Sequence, residues 1–404
     1  MMKRNILFVD DEPNILQGLR RMLRPMREKW DMHFAASGQE ALEIMSRVPM
    51  DAVVSDMRMP GMDGPELLRR IMHEHPEVVR FALSGYSDHE MVGRSIAPTH
   101  QYLTKPCDEK KLVQALEEAM NARRFVTNKA VLDKIARIEH LPVLPRAYVR
   151  ITDELAKGDP SPKVVGEIVA EDVGLTANIL KLVNSAYFGL ARQISSPQQA
   201  VIVLGVNVIR SVILSLHVFK SFETTEERSF SLSKLWSHCM RTASIARCIA
   251  QMEGMSREDA DSAYIATLLH DVGKLLLDAH CASECQDIYR EVRENNRCVA
   301  EVEAELLGLT HAQVGAYLLG LWGLPSSVVH AVAMHHSEDP EPEGFCPADV
   351  TCFANLLDHD IFVFNKHYAR PQIIPGRLAA IGGPDKLARW RDAVVALDLS
   401  EEGT

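Results

Sequence analysis

Residues 6–12 read ILFVDDE, an apolar run of four residues followed directly by three carboxylates. Three more short apolar runs follow at 52–55, 80–84 and 101–104, and amphipathic segments separate them. Short buried strands that alternate with helices are typical of a parallel α/β sheet. The N-terminal part of the chain is therefore predicted to be a doubly wound α/β domain.

Polar residues end each of these four runs, namely Asp10 with Asp11, then Asp56, Ser84 and Lys105. Because the carboxyl ends of parallel strands meet at one edge of a sheet, these side chains should lie close together. We expect Asp56 to accept a phosphoryl group while Asp10 and Asp11 hold Mg²⁺, which prefers oxygen ligands. Lys105 would place a cation, and Ser84 a hydroxyl, at the phosphoryl oxygens.

The motifs at these strand ends resemble the receiver domain of bacterial response regulators over about residues 3–121. The resemblance implies a flavodoxin-like, five-stranded parallel sheet in a domain at 1–121. It also implies that the backbone carbonyl of Arg58 joins the carboxylates around Mg²⁺ and that Tyr102 is a switch residue together with Ser84. The matching stretches are ILFVDDE at 6–12, SDMRMPGMDG at 55–64, LSGY at 83–86 and YLTKP at 102–106.

An apolar stripe continues from Leu112 and Leu116 to Ile135 and Ile138, and no Gly or Pro interrupts it before Pro142. This pattern predicts one long helix over 106–140 that overlaps the last helix of the receiver. Such a helix could transmit a change of state to the next domain and pair with a second copy of the chain, so a homodimer is expected. A helix that packs only on its own domain is the alternative reading.

Strand patterns are absent from 141–340, where helical patterns follow one another between Gly and Pro residues, so an all-helical domain is predicted. Residues 341–404 should add one more apolar helix around 348–357 and an acidic tail. Potential metal ligands in the helical part are His238, His270, Asp271, His311, His335 and His336.

The stretch LLHDVGK at 268–274 is similar to the signature of HD-type metal phosphohydrolases. Neighbouring residues on a regular helix point about 100° apart, so His270 and Asp271 could share an ion only near a helix end, which Gly273 permits. The wider pattern resembles the HDOD domain, a regulatory module related to HD and HD-GYP phosphodiesterases and generally regarded as non-hydrolytic. The stretches that carry this second resemblance are LPVLP at 141–145, LVNSAYFG at 182–189, residues 200–205, GLTHAQVG at 308–315 and WGLP at 322–325.

Two departures from the catalytic relatives argue against hydrolysis. The glycine-tyrosine-proline loop is missing after His336, and Asn355 stands where those enzymes place a closing aspartate ligand. A neutral amide holds a divalent ion more weakly than a carboxylate does. Asp349 or Asp358 could substitute, but neither occupies the matching position. Two interpretations of the histidine set therefore stay open. The histidines bind a divalent transition metal, with Asn355 as a further ligand, or they make plain buried polar contacts.

These patterns predict a cytoplasmic two-component response regulator. A sensor histidine kinase would phosphorylate Asp56, and the non-catalytic HDOD domain would signal to a downstream protein. The alternative is a phosphorylation-regulated HD hydrolase that acts on a nucleotide or cyclic dinucleotide.

The composition narrows the set of partners. A formal net charge of −11 argues against direct DNA binding, which needs a local excess of positive charge. The most apolar stretch, 200–219, is interrupted by Asn207, Arg210 and His217, so no membrane insertion is expected. The eight cysteines include no CxxC pair and are expected to be reduced thiols.

Overall fold

The computed structural model divides into two compact units near residue 143. The structure describes residues 3–84, 99–105, 107–122, 146–155, 157–158, 160–184, 194–222, 229–341, 344–362, 375–397 and 399.

The first unit is built on a five-stranded sheet in which each adjacent pair of strands is parallel. The strand order is β2-β1-β3-β4-β5, so the direction of winding reverses between β1 and β3, and ligand sites of such sheets form at that point. The strands are β1 Arg4–Val9, β2 Trp30–Ala35, β3 Ala52–Asp56, β4 Val79–Ser84 and β5 Gln101–Thr104. The helices are α1 Pro13–Met22, α2 Gly38–Met45, α3 Gly64–Glu74 and α4 Glu109–Ala122, with a short 3₁₀ helix at Arg24–Glu28.

Strand β2 was missed when apolar runs were read along the sequence. It lies at the edge of the sheet, and Asp31 and His33 interrupt its apolar residues. Because only its end residues Trp30 and Ala35 are fully buried, it lacks the continuous apolar run of the central strands.

The second unit is helical throughout the residues that the structure describes. Three of its helices pack on one another, namely α10, α11 and α17, whose ranges follow. The N-terminal helices are α5 Arg146–Leu155, α6 Pro162–Ala170, α7 Val173–Val183, α8 Pro197–Leu204 and α9 Val206–Ser221. The central helices are α10 Leu232–Met252, α11 Arg257–Leu269, α12 Val272–His280, α13 Ala282–Asn295, α14 Val299–Leu307, α15 His311–Leu321 and α16 Ser326–Met334. The C-terminal helices are α17 Pro347–Ile361, α18 Pro375–Ala380 and α19 Pro384–Val395.

The C-terminal extension belongs to the core of this helical unit. Trp390 on α19 is fully buried and packs with Phe353 of α17 in one apolar cluster with Ile245 and Ile249 of α10. Its indole Nε1 donates a hydrogen bond of 2.9 Å to Glu253, just beyond the end of α10. The predicted apolar helix around 348–357 is present as α17, and α18 and α19 extend the helical structure further.

The predicted order, an α/β unit followed by a helical unit, is confirmed. Of the helix predicted over 106–140, the structure describes α4, and residues 123–140 lie outside the described part. No single helix of the described residues is long and apolar enough to cross a bilayer. The consecutive helices α8 and α9 reach that length and hydropathy only together, and they are bent by 118° at their junction.

Candidate functional site

Three of the predicted receiver residues meet where the winding of the sheet reverses. Asp10 follows β1, Asp56 ends β3, and the Lys105 side chain reaches both carboxylates from the end of β5. Its Nζ lies 2.8 Å from Asp10 Oδ2 and also donates to Asp56 Oδ1. The adjacent pairing of β1 with β3 explains the meeting, because Val9 lies opposite Ser55 and the next residue of each strand is an aspartate.

The loop after β3 holds the Asp56 carboxylate in place. The Arg58 backbone N–H donates to Asp56 Oδ2 at 2.9 Å, and the Gly64 N–H closes the loop onto the Met57 carbonyl at 3.1 Å. A Cβ atom on Gly64 would lie 2.1 Å from the Asp56 carbonyl oxygen, so only glycine allows this close approach.

Charge at this edge of the sheet is unbalanced. Asp10 is almost fully buried and Asp56 nearly so, Asp11 follows in the same loop, and Lys105 is the cation in contact with the first two. Burial by itself would lower the pKa of Lys105, but its hydrogen bonds to Asp10 and Asp56 outweigh burial and raise that pKa. Clustered carboxylates with one lysine match the oxygen ligands that Mg²⁺ prefers, so the residues present fit this ion.

Ser84 and Tyr102 are placed by their backbones. Ser84 ends β4 opposite Thr104, and Tyr102 lies within β5 opposite Ala82. Their side chains lie outside the described part of the structure, so their switch roles stay predictions.

The helical unit gathers all five predicted histidines, together with Asp271, into one buried centre. His238 lies on α10, and His270 and Asp271 form the break between α11 and α12. His311 begins α15, and His335 and His336 follow the end of α16. The predicted helix end near Gly273 is therefore present, at the break between α11 and α12, and it lets the adjacent His270 and Asp271 face the same centre.

Gly273 also explains how closely α12 approaches α15. A Cβ atom on this residue would lie 2.0 Å from the His311 carbonyl oxygen. Any larger residue would push α12 away from α15 and separate Asp271 from His311.

Hydrogen bonds fix which ring nitrogen of four histidines carries a proton. The Nδ1 atoms of His270 and His335 lie 2.6 and 2.7 Å from the carbonyl oxygens of Thr267 and Val332. Because a carbonyl only accepts, both Nδ1 atoms must donate. His238 and His311 direct Nδ1 to the carboxylates of Asp358 and Glu303, at 2.7 and 2.6 Å, with the same result. Each Nε2 of a neutral ring then turns a lone pair toward the centre.

Two of these lone pairs face each other at short range, because His238 Nε2 lies 3.1 Å from His270 Nε2. His311 Nε2 lies 3.1 Å from His336 Nε2, where either ring nitrogen can be the donor of a hydrogen bond. Two lone pairs at this distance repel unless a cation lies between them. Two histidine nitrogens on one zinc-like ion would be about 2.9–3.4 Å apart, given metal–nitrogen bonds of about 2.0–2.1 Å.

Asp271 lies between two sets of ligands. Its Oδ2 is 3.6 Å from His238 Nε2 and 3.5 Å from His270 Nε2, and its Oδ1 is 3.2 Å from His311 Nε2. The ligand atoms of His238, His270 and Asp271 all lie within 4.8 Å of one another, as do those of His311, His335 and His336. We call these sets the aspartate triad and the histidine triad.

The protonation states suit ligands for a cation. Burial lowers the pKa of His270 to about 4, and burial together with neighbouring histidines holds the pKa of His335 and His336 well below its usual range. Burial would raise the pKa of Asp271, but His270 and Lys274 bring it well below its ordinary value. Burial would lower the pKa of His311, but the Glu303 carboxylate and Asp271 outweigh burial and raise it. The centre therefore offers neutral imidazoles at His270, His335 and His336 and one ionised carboxylate.

Buried polar atoms without partners support the same reading. Asp271 Oδ1, His335 Nε2 and Asn355 Oδ1 are buried and have no hydrogen-bond partner among the described residues. Unsatisfied buried polar atoms are costly, and two of these three belong to the triads. The residues present therefore fit a divalent transition metal.

The aspartate that Asn355 replaces is not supplied by Asp349 or Asp358. Asp358 is fully buried and accepts from His238 Nδ1 and from Arg241, so it orients the His238 ring from outside. Asp349 pairs with Arg377 at 2.9 Å. The alternative that either carboxylate takes the ligand position of Asn355 is therefore wrong.

Sequence reasoning missed the groups that orient the ligands. Lys274 lies 2.7 Å from Asp271 Oδ2, and Glu303 accepts from both the backbone N–H and Nδ1 of His311. The position of Lys274 one turn after Asp271 was a usable signal. Glu303 lies on another helix, and no local pattern marks it.

Comparison with known proteins also divides the chain into an N-terminal and a C-terminal domain. The model of the response regulator receiver domain matches residues 6–117, and that of the HDOD domain matches residues 141–338. An uncharacterized protein of Treponema pallidum is 27% identical over 231 residues, which cover 57% of this chain and 44% of that protein. The hydrogenase transcriptional regulatory protein HoxA of Cupriavidus necator is 34% identical over 120 residues, which cover 29% of this chain and 24% of HoxA. The matched region thus spans less than half of either relative.

Two solved structures share the fold of the helical part. A putative phosphohydrolase from Shewanella amazonensis superposes with a TM-score of 0.54 at 22% identity, covering 68% of this chain and 96% of that one. An HDOD domain protein from Geobacter sulfurreducens gives 0.50 at 24% identity, covering 72% of this chain and all of the other. The chain is therefore a response regulator with an N-terminal receiver domain and a C-terminal HDOD domain.

Proposed function

We propose that phosphorylation of Asp56 by a sensor histidine kinase controls the output of the HDOD domain. The meeting of Asp10, Asp56 and Lys105 at the end of the sheet carries this proposal. Mg²⁺ held by Asp10, Asp11, Asp56 and the Arg58 carbonyl would shield the charge of the incoming phosphoryl group. Lys105 is held where it can exchange its bond to Asp56 for one to a phosphoryl oxygen, which would change the ion pairs of this edge.

A small-molecule phosphodonor with Mg²⁺ tests the acceptor. Acid-labile phosphate should appear in the full-length protein and disappear in Asp56→Asn. Asp63→Asn is the matched control, because Asp63 lies in the same loop and caps α3, a position that asparagine also fills well. Full incorporation in Asp56→Asn would refute the assignment.

The second proposal is that the helical domain binds a divalent transition metal through the aspartate and histidine triads. The lone pairs of His238 and His270, which face each other at 3.1 Å, carry it. Purified protein should retain Zn²⁺, Mn²⁺ or Fe²⁺ by elemental analysis, and His270→Ala with Asp271→Ala should remove it. Metal content equal to that of this double variant would contradict the proposal.

A regulatory role fits this centre better than hydrolysis. Divalent ions bring positive charge that neutral histidines do not balance. Asp271 is the one carboxylate in the two triads, and Asn355 is neutral. The metal would then be structural, and the domain would act by binding a downstream protein.

The rival function is a phosphorylation-regulated hydrolase, and the clustered triads are the observation that favours it. Bis-nitrophenyl phosphate and cyclic dinucleotides should show no turnover above the His270→Ala, Asp271→Ala control with Mn²⁺, Fe²⁺ or Mg²⁺. Turnover that this double substitution abolishes would establish the hydrolase instead.

A further inference from the structure

Arg377 is a fully buried arginine in the C-terminal extension. It lies on α18, beyond residues 141–338 that match the HDOD model, and its side chain has no exposed surface. A buried guanidinium is costly unless its N–H groups find acceptors, so its partners show what it holds in place.

Two of these partners are backbone carbonyls on either side of the double histidine. Arg377 Nη1 donates to the Met334 carbonyl at 3.0 Å and to the Ser337 carbonyl at 3.1 Å. His335 and His336 are the two residues between these carbonyls. One nitrogen atom therefore donates hydrogen bonds to both ends of the turn that carries them.

The turn needs an external donor because it follows a helix end. The last carbonyls of a helix have no partner within the helix. Within α16, the Val332 carbonyl accepts from His335 Nδ1, and the Met334 carbonyl accepts from the Ser337 N–H as well as from Arg377. The hydrogen bond that fixes the His335 tautomer therefore belongs to the turn that Arg377 closes.

The other side of the guanidinium is tied to the start of α17. Arg377 Nε donates to Asp349 Oδ1 at 2.9 Å, and Asp349 Oδ2 accepts from the Cys346 N–H at 3.1 Å. Glu341 lies 3.6 Å from Arg377 Nη2. The arginine thus joins α16, α17 and α18 at one point.

We propose that Arg377 is a positioning residue that holds His335 and His336 in the geometry of the histidine triad, which makes the C-terminal extension part of the metal centre. The inference rests on the proposed metal site. The aspartate triad receives no contact from this arginine among the described residues, so the effect should be selective.

The test compares Arg377→Lys and Arg377→Met with the wild-type protein at full length. Titration of the metal-free proteins with Co²⁺, followed by absorption, should show affinity reduced about 10- to 100-fold, the range for residues that orient metal ligands. Arg377→Lys should regain part of the loss, since lysine supplies one cation but cannot reach both carbonyls and Asp349 together. If Arg377→Met fails to fold, the Co²⁺ affinity of Arg377→Lys alone tests the proposal.

A control separates positioning from general destabilisation. Trp390→Leu weakens the same extension at α19, away from the double histidine. An equal loss of Co²⁺ affinity in Trp390→Leu, at a matched loss of thermal stability, would overturn the proposal. So would wild-type affinity in both Arg377 variants.

Histidine imidazole NMR of the metal-free proteins tests the inference without metal. In Arg377→Lys the ring signals of His335 and His336 should shift, while those of His238 and His270 stay unchanged. If wild-type protein bound no Co²⁺ but these shifts appeared, the metal proposal would fail and the positioning role would stand. Unchanged signals of His335 and His336 would refute the positioning role itself.

Discussion

At the residue scale, the helical site is defined by the atoms that orient its ligands. Four histidines have Nδ1 bound to an acceptor, and in the neutral form of each ring that acceptor leaves the lone pair on Nε2, which faces the centre. Sequence motifs identified the histidines. Motifs could not reveal the direction of each ring, because the acceptors include main-chain carbonyls and carboxylates from distant helices.

Asp358→Asn should weaken metal binding even though Asp358 is not a ligand. Asp358 accepts from His238 Nδ1 at 2.7 Å and from Arg241 at 2.8 Å, and it is fully buried. The neutral amide leaves Arg241 without its counter-charge and lets the His238 ring turn. We expect about 10- to 100-fold lower metal affinity and a lower free energy of unfolding by about 3–5 kcal/mol.

Titration with Co²⁺ and urea unfolding measure the two effects of Asp358→Asn. Asp360→Asn is the control, because Asp360 lies two residues further on α17 and pairs with Arg391 at the surface. Equal metal affinity in wild type and Asp358→Asn would contradict the proposed role of His238.

His359 should make the metal-free protein less stable in acid. Burial and the neighbouring His238 lower the pKa of His359 to about 3, so the folded state resists protonation while the unfolded chain takes up a proton near pH 6.5. Because the unfolded state binds more protons between these values, stability falls as pH drops below about 6.5. The contribution stays below about 1.4 kcal/mol per pH unit, since the side chain is only half-buried.

His359→Gln should therefore flatten the dependence of the unfolding free energy on pH between about 6.5 and 5. His73→Gln is the control, because His73 is exposed on α3 of the other unit. Urea unfolding at several pH values with chelator present gives both slopes, and equal slopes in His359→Gln and wild type would count against the argument.

At the element scale, helix ends position the functional groups. The break between α11 and α12 directs His270 and Asp271 toward the buried centre, and the end of α16 presents the double histidine. Gly273 signalled the first break. The second depends on Arg377, which lies 41 residues after His336 in the chain and which no local pattern connects to it.

The extension should carry a large share of the stability of the helical unit. Trp390 is fully buried among residues of α10 and α17 and bonds Glu253. Truncation of a buried aromatic residue costs about 3–5 kcal/mol, so we expect Trp390→Ala to lower the unfolding free energy by that amount. Trp390→Phe should cost clearly less because it keeps most of the buried area. Urea unfolding would disprove this if both variants matched the wild type.

At the scale of the whole molecule, the sequence allowed the two fold classes and their order to be predicted. Central strands such as β1 and β3 are apolar runs that lead into an aspartate. The place where the winding of the sheet reverses can therefore be predicted from the sequence alone. The edge strand β2 could not be predicted from an apolar run, because it has a neighbouring strand on one side only and its interior residues are less buried. The long-range partners of the histidine centre were equally hidden, since they depend on how α14, α16, α17 and α18 pack.

The apolar stripe that starts in α4 predicts a homodimer. Within α4 the residues Leu112, Leu116 and Ala119 are fully buried, so the first part of the stripe is used inside the receiver unit. The stripe continues in the sequence through Val126 and Ile135, which lie beyond the receiver match at 6–117. On the helix predicted from the sequence over 106–140, these apolar side chains would best be buried against a second copy.

We therefore expect full-length protein treated with phosphodonor and Mg²⁺ to be dimeric by light scattering. Val126→Glu combined with Ile135→Glu should reduce it to a monomer, because the two charges would be buried without partners in the helix pair. Lys129→Glu is the matched control, since it changes charge on the same segment without touching the stripe. A strict monomer with and without phosphodonor, or a dimer that survives the double substitution, would remove this segment as the pairing element.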